Sequence, residues 1–165
     1  MKRLSVLLFC FIVFLCGCSM KKDVKINTAL MSFDCYIERE DEKYTVNMVT
    51  GEEISTITAA ITKPQNLNGM KYILENGNLS VQYKDIHINP DLKEMPEENA
   101  VISVMNMIKD CHNKEAKEND GNYDYNGSLG NNEYCVAVSP AGLPLGISIN
   151  SLGITVQIKN LTLVK

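Results

Sequence analysis

The 165-residue chain contains no tryptophan and, beyond position 17, a single phenylalanine, Phe33. So few aromatic rings argue against a wide aromatic-lined cavity. There is no Gly-x-Ser-x-Gly elbow, no paired-carboxylate signature and no phosphate-cradling glycine loop, so nothing in the chain calls for an enzyme or a cofactor. No pair of cysteines has zinc-ligand spacing, and His112 beside Cys111 does not make a site by itself. Positive charge is scarce. Past residue 17 there are 14 basic and 20 acidic side chains, a formal charge of −6. Such an acidic surface excludes nucleic acid as a partner and argues against a domain lying flat on anionic lipid. Beyond the first residues, no apolar run reaches the roughly 20 residues of a membrane-spanning helix.

What the chain does have begins at its amino end. Lys2-Arg3 precede an apolar run from Leu4 to Leu15, followed by Cys16-Gly17-Cys18. A basic start, a short apolar stretch and a small residue before a cut form the layout of a secretory signal. Leu15-Cys16-Gly17-Cys18 resembles the bacterial lipobox, with an aliphatic residue at −3, a small residue at −1 and cysteine at +1. The resemblance implies cleavage after residue 17 and acylation of Cys18, on the sulfur and often on the new amine. The plainer reading is an ordinary secretory signal cut nearby, with Cys18 unmodified. Two or three acyl chains, at roughly 0.8 kcal/mol per buried CH₂, would anchor the protein stably outside the cytosol. Residues 18–28 are polar and lysine-rich and read as a tether. One domain is expected over 29–165.

Within that domain the period is first two. Phe33, Cys35 and Ile37 alternate with Asp34, Tyr36 and Glu38, the pattern of a half-buried strand. Tyr44, Val46 and Met48 continue after a charged turn. Ile54–Lys63 follows, with Ile57, Ala59 and Ile61 on its more apolar face. Met70–Glu75 and Leu79–Tyr83 flank Asn76-Gly77-Asn78, a strong hairpin signal. Asp85–Asn89 extends the second arm. The period then becomes helical: from Pro96 to about His112, Val101, Val104, Met105 and Ile108 fall on one stripe. Pro96, Glu97 and Glu98 suit a helix start. Asn113–Asn132 is polar and reads as a loop with at most a short strand at Tyr123–Tyr125. Tyr134–Val138, Leu145–Ile149 and Ile154–Ile158 resume the sheet. Leu161 and Leu163 lie on the opposite parity from Ile154, Val156 and Ile158, which calls for a bulge near Lys159-Asn160 or for cover on both faces. The expected fold is mainly β (α+β): a curved antiparallel sheet covered by one amphipathic helix, since a lone helix must bury its stripe on a sheet.

Three candidate sites stand out. Asn122-x-Asp124-x-Asn126-Gly127, with Glu133 at position 12, has the spacing of an EF-hand calcium loop. Asn at position 1, and strand rather than helix after it, favour a plain loop instead. Tyr83-x-Asp85-x-His87 places three polar groups on one strand face, which reads as a solvated rim. Cys35, Cys111 and Cys135 could supply one disulfide, with Cys111 to Cys135 the preferred pair, or remain buried thiols. Tyrosines and methionines such as Tyr72, Met48 and Met105 could line an apolar pocket or fill a core.

The order of elements also resembles the LolA-like lipoprotein-carrier superfamily, which includes periplasmic lipoprotein carriers and mycobacterial lipid-carrying lipoproteins. The likeness lies in Ile61-Thr62-Lys63-Pro64-Gln65-Asn66-Leu67-Asn68-Gly69, in Leu79–Ile88 before the helix, and in the closing strands. It implies a half-barrel with a helix in its mouth and an acyl chain in its cavity. Small clostridial spore-germination lipoproteins look similar as well, and there the resemblance implies a protein partner, an amidase. The leading expectation is a membrane-anchored, non-catalytic lipoprotein binding an acyl chain between Val101, Val104, Met105 and Ile108 of the helix and Ile57, Ile61 and Ile73 of the sheet. The alternative is an interaction protein with a filled interior that holds an envelope or spore enzyme.

Overall fold

The computed structural model describes residues 23–92 and 99–164. The signal sequence, Cys18 and the expected helix start at Pro96, Glu97 and Glu98 lie outside the described residues. The strands are β1 (Val24–Lys25), β2 (Met31–Arg39), β3 (Glu42–Thr50), β4 (Thr56–Lys63), β5 (Lys71–Glu75), β6 (Asn78–Tyr83) and β7 (Ile86–Ile88). The helix α1 (Ala100–Cys111) comes next. Then follow β8 (Glu115–Asn119), β9 (Asn122–Leu129), β10 (Asn132–Val138), β11 (Pro144–Ile149) and β12 (Ile154–Leu163). They form one antiparallel sheet in the order β1-β8-β9-β10-β11-β12-β2-β3-β4-β5-β6-β7. The sheet is curved and unclosed, a half-barrel with one helix.

Alternation decides which face is inside. Met31, Phe33, Cys35 and Ile37 of β2 are buried, and their neighbours Ser32, Asp34, Tyr36 and Glu38 are not. Ile57, Ala59 and Ile61 do the same in β4, and Tyr134, Val136 and Val138 in β10. Asn76 and Gly77 take positive φ (50° and 85°) and close a two-residue hairpin between Glu75 and Asn78, the geometry an Asn-Gly pair favours. In β12 the register shifts between Lys159 and Thr162, with Asn160 at φ 53°. That bulge inserts one residue, so Leu163 lies opposite buried Met31 on the face that also holds Ile154, Val156 and Ile158. This resolves the parity change, and Leu163 stays exposed because it ends the strand.

Two stretches differ from the sequence reading. Asn113–Asn132 is not a loop: it holds β8 and β9, joined at Asp120-Gly121 with φ 50° and 83°. Residues 24–28 are not a free tether. β1 pairs with β8, Ile26 and Thr28 are wholly buried, and Ile26 exchanges backbone hydrogen bonds with Asn113 and Lys114. The fold therefore begins at least five residues before Ala29. The helix also starts later than expected. Asn99 is extended (φ −69°, ψ 103°) and its Oδ1 accepts from the Ile102 amide at 3.1 Å, capping a helix that begins at Ala100.

Candidate functional site

The concave face of the sheet is the place where the sequence puts a ligand, and α1 lies in it against β2, β4 and β9. Val104, Met105 and Ile108 are completely buried and Val101 nearly so. Ile57 and Ile61 meet them in the same core, with Met31, Phe33 and Met48 filling the floor. Six of the seven expected lining residues are thus brought together. Ile73 is not. Inward positions on β5 belong to Tyr72 and Leu74, and Ile73 stands on the other face beside Ser80. It borders an outer groove with Glu75, Asn78 and His87. The helix is buried beyond its stripe as well: Ala100, Ile102, Met107 and Cys111 are also covered. An opening at the helix start, edged by Tyr44, Ile61, Leu67, Tyr72 and Val101, measures about 100 Å³. Ligand pockets begin at roughly 300 Å³, so this opening is too small for an acyl chain.

The carboxyl end of α1 carries polar machinery that the sequence did not announce. Asp110 accepts hydrogen bonds from the hydroxyls of Tyr134 and of Tyr125, the latter at 3.5 Å. The two rings meet edge to face with centroids 6.0 Å apart. Burial, then the hydrogen bond to Asp110, pushes the Tyr134 phenol up from its ordinary range. Burial, then the charge of Asp110, does the same to Tyr125. Both phenols stay protonated and act as donors. Gly127 makes room: a Cβ there would lie 2.5 Å from the Tyr134 ring. One signal was available beforehand, the inward parity of Tyr134 opposite a residue without a side chain. Asp110 gave none, since a charge near a helix end is ordinarily solvated.

A second fastening lies beside it. The Thr28 amide donates to His112 Nδ1 at 3.2 Å, and the Thr28 hydroxyl lies within hydrogen-bond distance of the same nitrogen and of the Ile108 carbonyl, 3.1 Å away. Burial, then the charge of Lys25, holds His112 below its ordinary value. The segment 26–28 thereby straps the helix end into the sheet.

The remaining candidates separate. Asn122, Asp124 and Asn126 are alternate residues of an extended strand, and Glu133 lies on β10 opposite Ser128. A calcium loop must wrap its ligands around one point, which a paired strand cannot do. Among the described residues no group of three metal-ligating side chains occurs. Cys35, Cys111 and Cys135 are free thiols. Cys111 is buried with the helix, and Cys135 alternates out of phase with buried Tyr134 and Val136, so the sheet stands between the expected pair. His87 is exposed on β7, and Cys18 lies outside the described residues. A groove of about 800 Å³ among the described residues is open and polar, edged by Asp110, Asn126, Ser128, Glu133 and Ser148.

No family model and no curated protein matches the chain. Among solved structures it is similar to a LolA superfamily protein from Nitrosomonas europaea, at 11% identity and TM-score 0.45, over 82% of this chain and 85% of that one. It is also similar to a DUF1329 family protein from Desulfovibrio piger, at 11% identity and TM-score 0.41, over 92% of this chain and 89% of that one.

Proposed function

We propose that this chain is a non-catalytic lipoprotein, anchored outside the cytosol through acylated Cys18, whose half-barrel is an interaction scaffold rather than an acyl carrier. The observation that carries this reading is the seat of α1. Val104, Met105 and Ile108 occupy the concave face with no exposure, so the place of a ligand is taken by the protein's own side chains. A partner then meets the outer surface, an envelope or spore enzyme being the class the sequence resemblance implies.

A second reading keeps the apolar ligand, with the helix displaced to admit it. One feature favours it: Met31, Met48, Met105 and Met107 are all buried in this core, and methionine repacks around a guest more readily than branched residues do. Native mass spectrometry of the chain from residue 19, gently purified from its host, separates the two. Starting at residue 29 would delete β1, Ile26 and Thr28 and is the wrong cut. A lipid-free domain that retains one protein partner at fixed stoichiometry supports the scaffold. A domain carrying a bound acyl lipid refutes it in favour of the carrier.

A further inference from the structure

The anchored reading above implies that one end of the domain lies nearest the lipid, and the path of the chain and the exposed apolar groups bear on which. We infer that the end of the half-barrel formed by the start of β2, the end of β12 and the β10–β11 turn seats on the phospholipid bilayer. The inference rests on the acylation of Cys18 and would fall with it.

The first argument is chain length. β1 begins at Val24, six residues after Cys18. A fully extended chain spans at most about 3.6 Å per residue, so Val24 stays within about 20 Å of the acylated residue. A tether running to residue 28 would have allowed nearly twice that reach. Direction adds to distance. β1 is antiparallel to β8, with Val24 opposite Ala116 and Lys25 opposite Glu115. Followed backwards, the chain leaves alongside β8 toward the Asp120-Gly121 turn. The β10–β11 turn lies at that same end, because Val138 pairs with both Tyr123 and Pro144. A Cβ on Gly142 of this turn would lie 3.4 Å from the Val24 side chain, so the turn touches the root of the tether.

The second argument is independent of the first. Leu30, Val49, Leu145, Leu163 and Val164 are five of the eight large apolar side chains exposed among the described residues, and all belong to this end. Leu163 pairs with Met31, the Val164 amide donates to the Leu30 carbonyl, and Val49 pairs with Ser32. Leu30, Leu145 and Leu163 are 41%, 53% and 67% exposed. The turns at the opposite end hold Glu40-Asp41, Lys84-Asp85, Gly130-Asn131 and Asn150-Ser151. Five of the eight exposed apolar groups are therefore gathered at this end, around the start of β2, the end of β12 and the β10–β11 turn, although its Asn76-Gly77 and Asp120-Gly121 turns are polar and exposed Ile86 stands at the other end. Charge does not select the lipid end. Lys25 and Lys117 stand near it, but so do Glu52 and Glu53. Apolar contact beside a short covalent anchor is the chemistry that fits, with the apolar rim reaching the headgroup boundary.

The test uses the full lipidated protein in phosphatidylcholine vesicles doped with headgroup-nitroxide lipid. Single fluorophores are placed at Ala141→Cys, Thr162→Cys, Asp41→Cys or Ser151→Cys, in a Cys135→Ser background. Quenching at Ala141→Cys and Thr162→Cys is expected to exceed that at Asp41→Cys and Ser151→Cys by about threefold or more, since the two ends are separated by strands of five to ten residues at ~3.3 Å each. Replacing Leu30, Leu163 and Val164 together by Ser should reduce quenching at Ala141→Cys. Equal quenching at both ends, or quenching untouched by the triple replacement, overturns the inference. A protein that incorporates no labelled palmitate and stays off the vesicles overturns the anchor itself, a result distinct from an anchored protein seated otherwise.

Discussion

Substituting Gly127 by alanine tests whether the Asp110 cluster fastens the helix to the sheet. Gly127 pairs with Tyr134 across β9 and β10, and an added Cβ would lie 2.5 Å from both Cζ and Oη of that ring and 2.7 Å from Cε1. Carbon atoms settle at about 3.5–4.0 Å, so the ring must move by about 1 Å. Tyr134 has little freedom, being 3% exposed on one side and hydrogen-bonded to Asp110 at its tip. Either the core overpacks, at about 1–3 kcal/mol, or the bond to a charged acceptor breaks, at about 1.5–3 kcal/mol. Alanine regains about 0.5–1 kcal/mol over glycine in a strand. The net loss is about 1.5 kcal/mol, which lowers the melting temperature of a domain of this size by about 5 °C. Urea unfolding of the Cys18→Ala mature chain, followed by far-ultraviolet circular dichroism, measures it. The diagnostic comparison is the Tyr134→Ala background, where the clash is gone and Gly127→Ala should be neutral or slightly stabilising. The same cost in both backgrounds, or no cost with Tyr134 present, refutes the reasoning.

Other outcomes follow from the same packing. Met105→Ala and Ile61→Ala should each cost about 2–5 kcal/mol as buried truncations, whereas Ile73→Ser on the outer face should cost under about 1 kcal/mol in thermal melts; a large loss at Ile73 would return it to the core. Stability should depend on pH through His112. Its native value lies below the reference of 6.5, so the unfolded chain binds the proton more tightly. The contribution is complete above pH 6.5 and declines as pH falls through that value toward the lowered native one. His112→Asn should flatten this part of the urea-midpoint profile, and an unchanged slope would remove the assignment. Burial pushes the Cys111 thiol up to about 12 and the Cys35 thiol further still, so a thiol reagent at pH 8 should leave both untouched in the native domain. All three thiols should react after unfolding without reductant, and a missing pair would reinstate a disulfide.

The parts of this fold that were readable in advance are those where one strand or helix face carries its own contrast. β2, β4 and β10 alternate between apolar and polar residues, Asn76-Gly77 dictates its turn, and the parity break before Leu161 foretells the bulge. β8 carries no such contrast. Of Glu115-Ala116-Lys117-Glu118-Asn119 only Ala116 is buried, because this strand is held at the rim by backbone pairing more than by apolar cover. The Asp120-Gly121 pair was as good a hairpin signal as Asn76-Gly77, but its flanks were polar, so it read as loop. Residues 26–28 were missed for a different reason. Thr28 is buried only because Ile108 and His112, 80 and 84 residues later, supply its partners. No local pattern can report a bond made at that separation.

The same limit governs the functional reading, and it sharpens what the helix means. An amphipathic stripe records that a surface must leave water; it is silent on whether sheet residues or a fatty acid take water's place, because both offer hydrocarbon at similar free energy per area. Packing against a particular partner breaks the tie. Here the stripe is met by Ile57, Ile61, Met48 and Phe33, and the helix is fixed at both ends, by the Asn99 cap and by the Thr28 and Asp110 bonds. Opening the trough for a ligand would expose those apolar residues and break the fastenings at the carboxyl end together. A carrier must load and release its cargo, so it needs a lid whose closed and open states differ by only a few kcal/mol. Burial of four large side chains at about 1.5–3 kcal/mol each already exceeds that margin, which is the physical argument behind the proposal that recognition lies on the outside of this half-barrel.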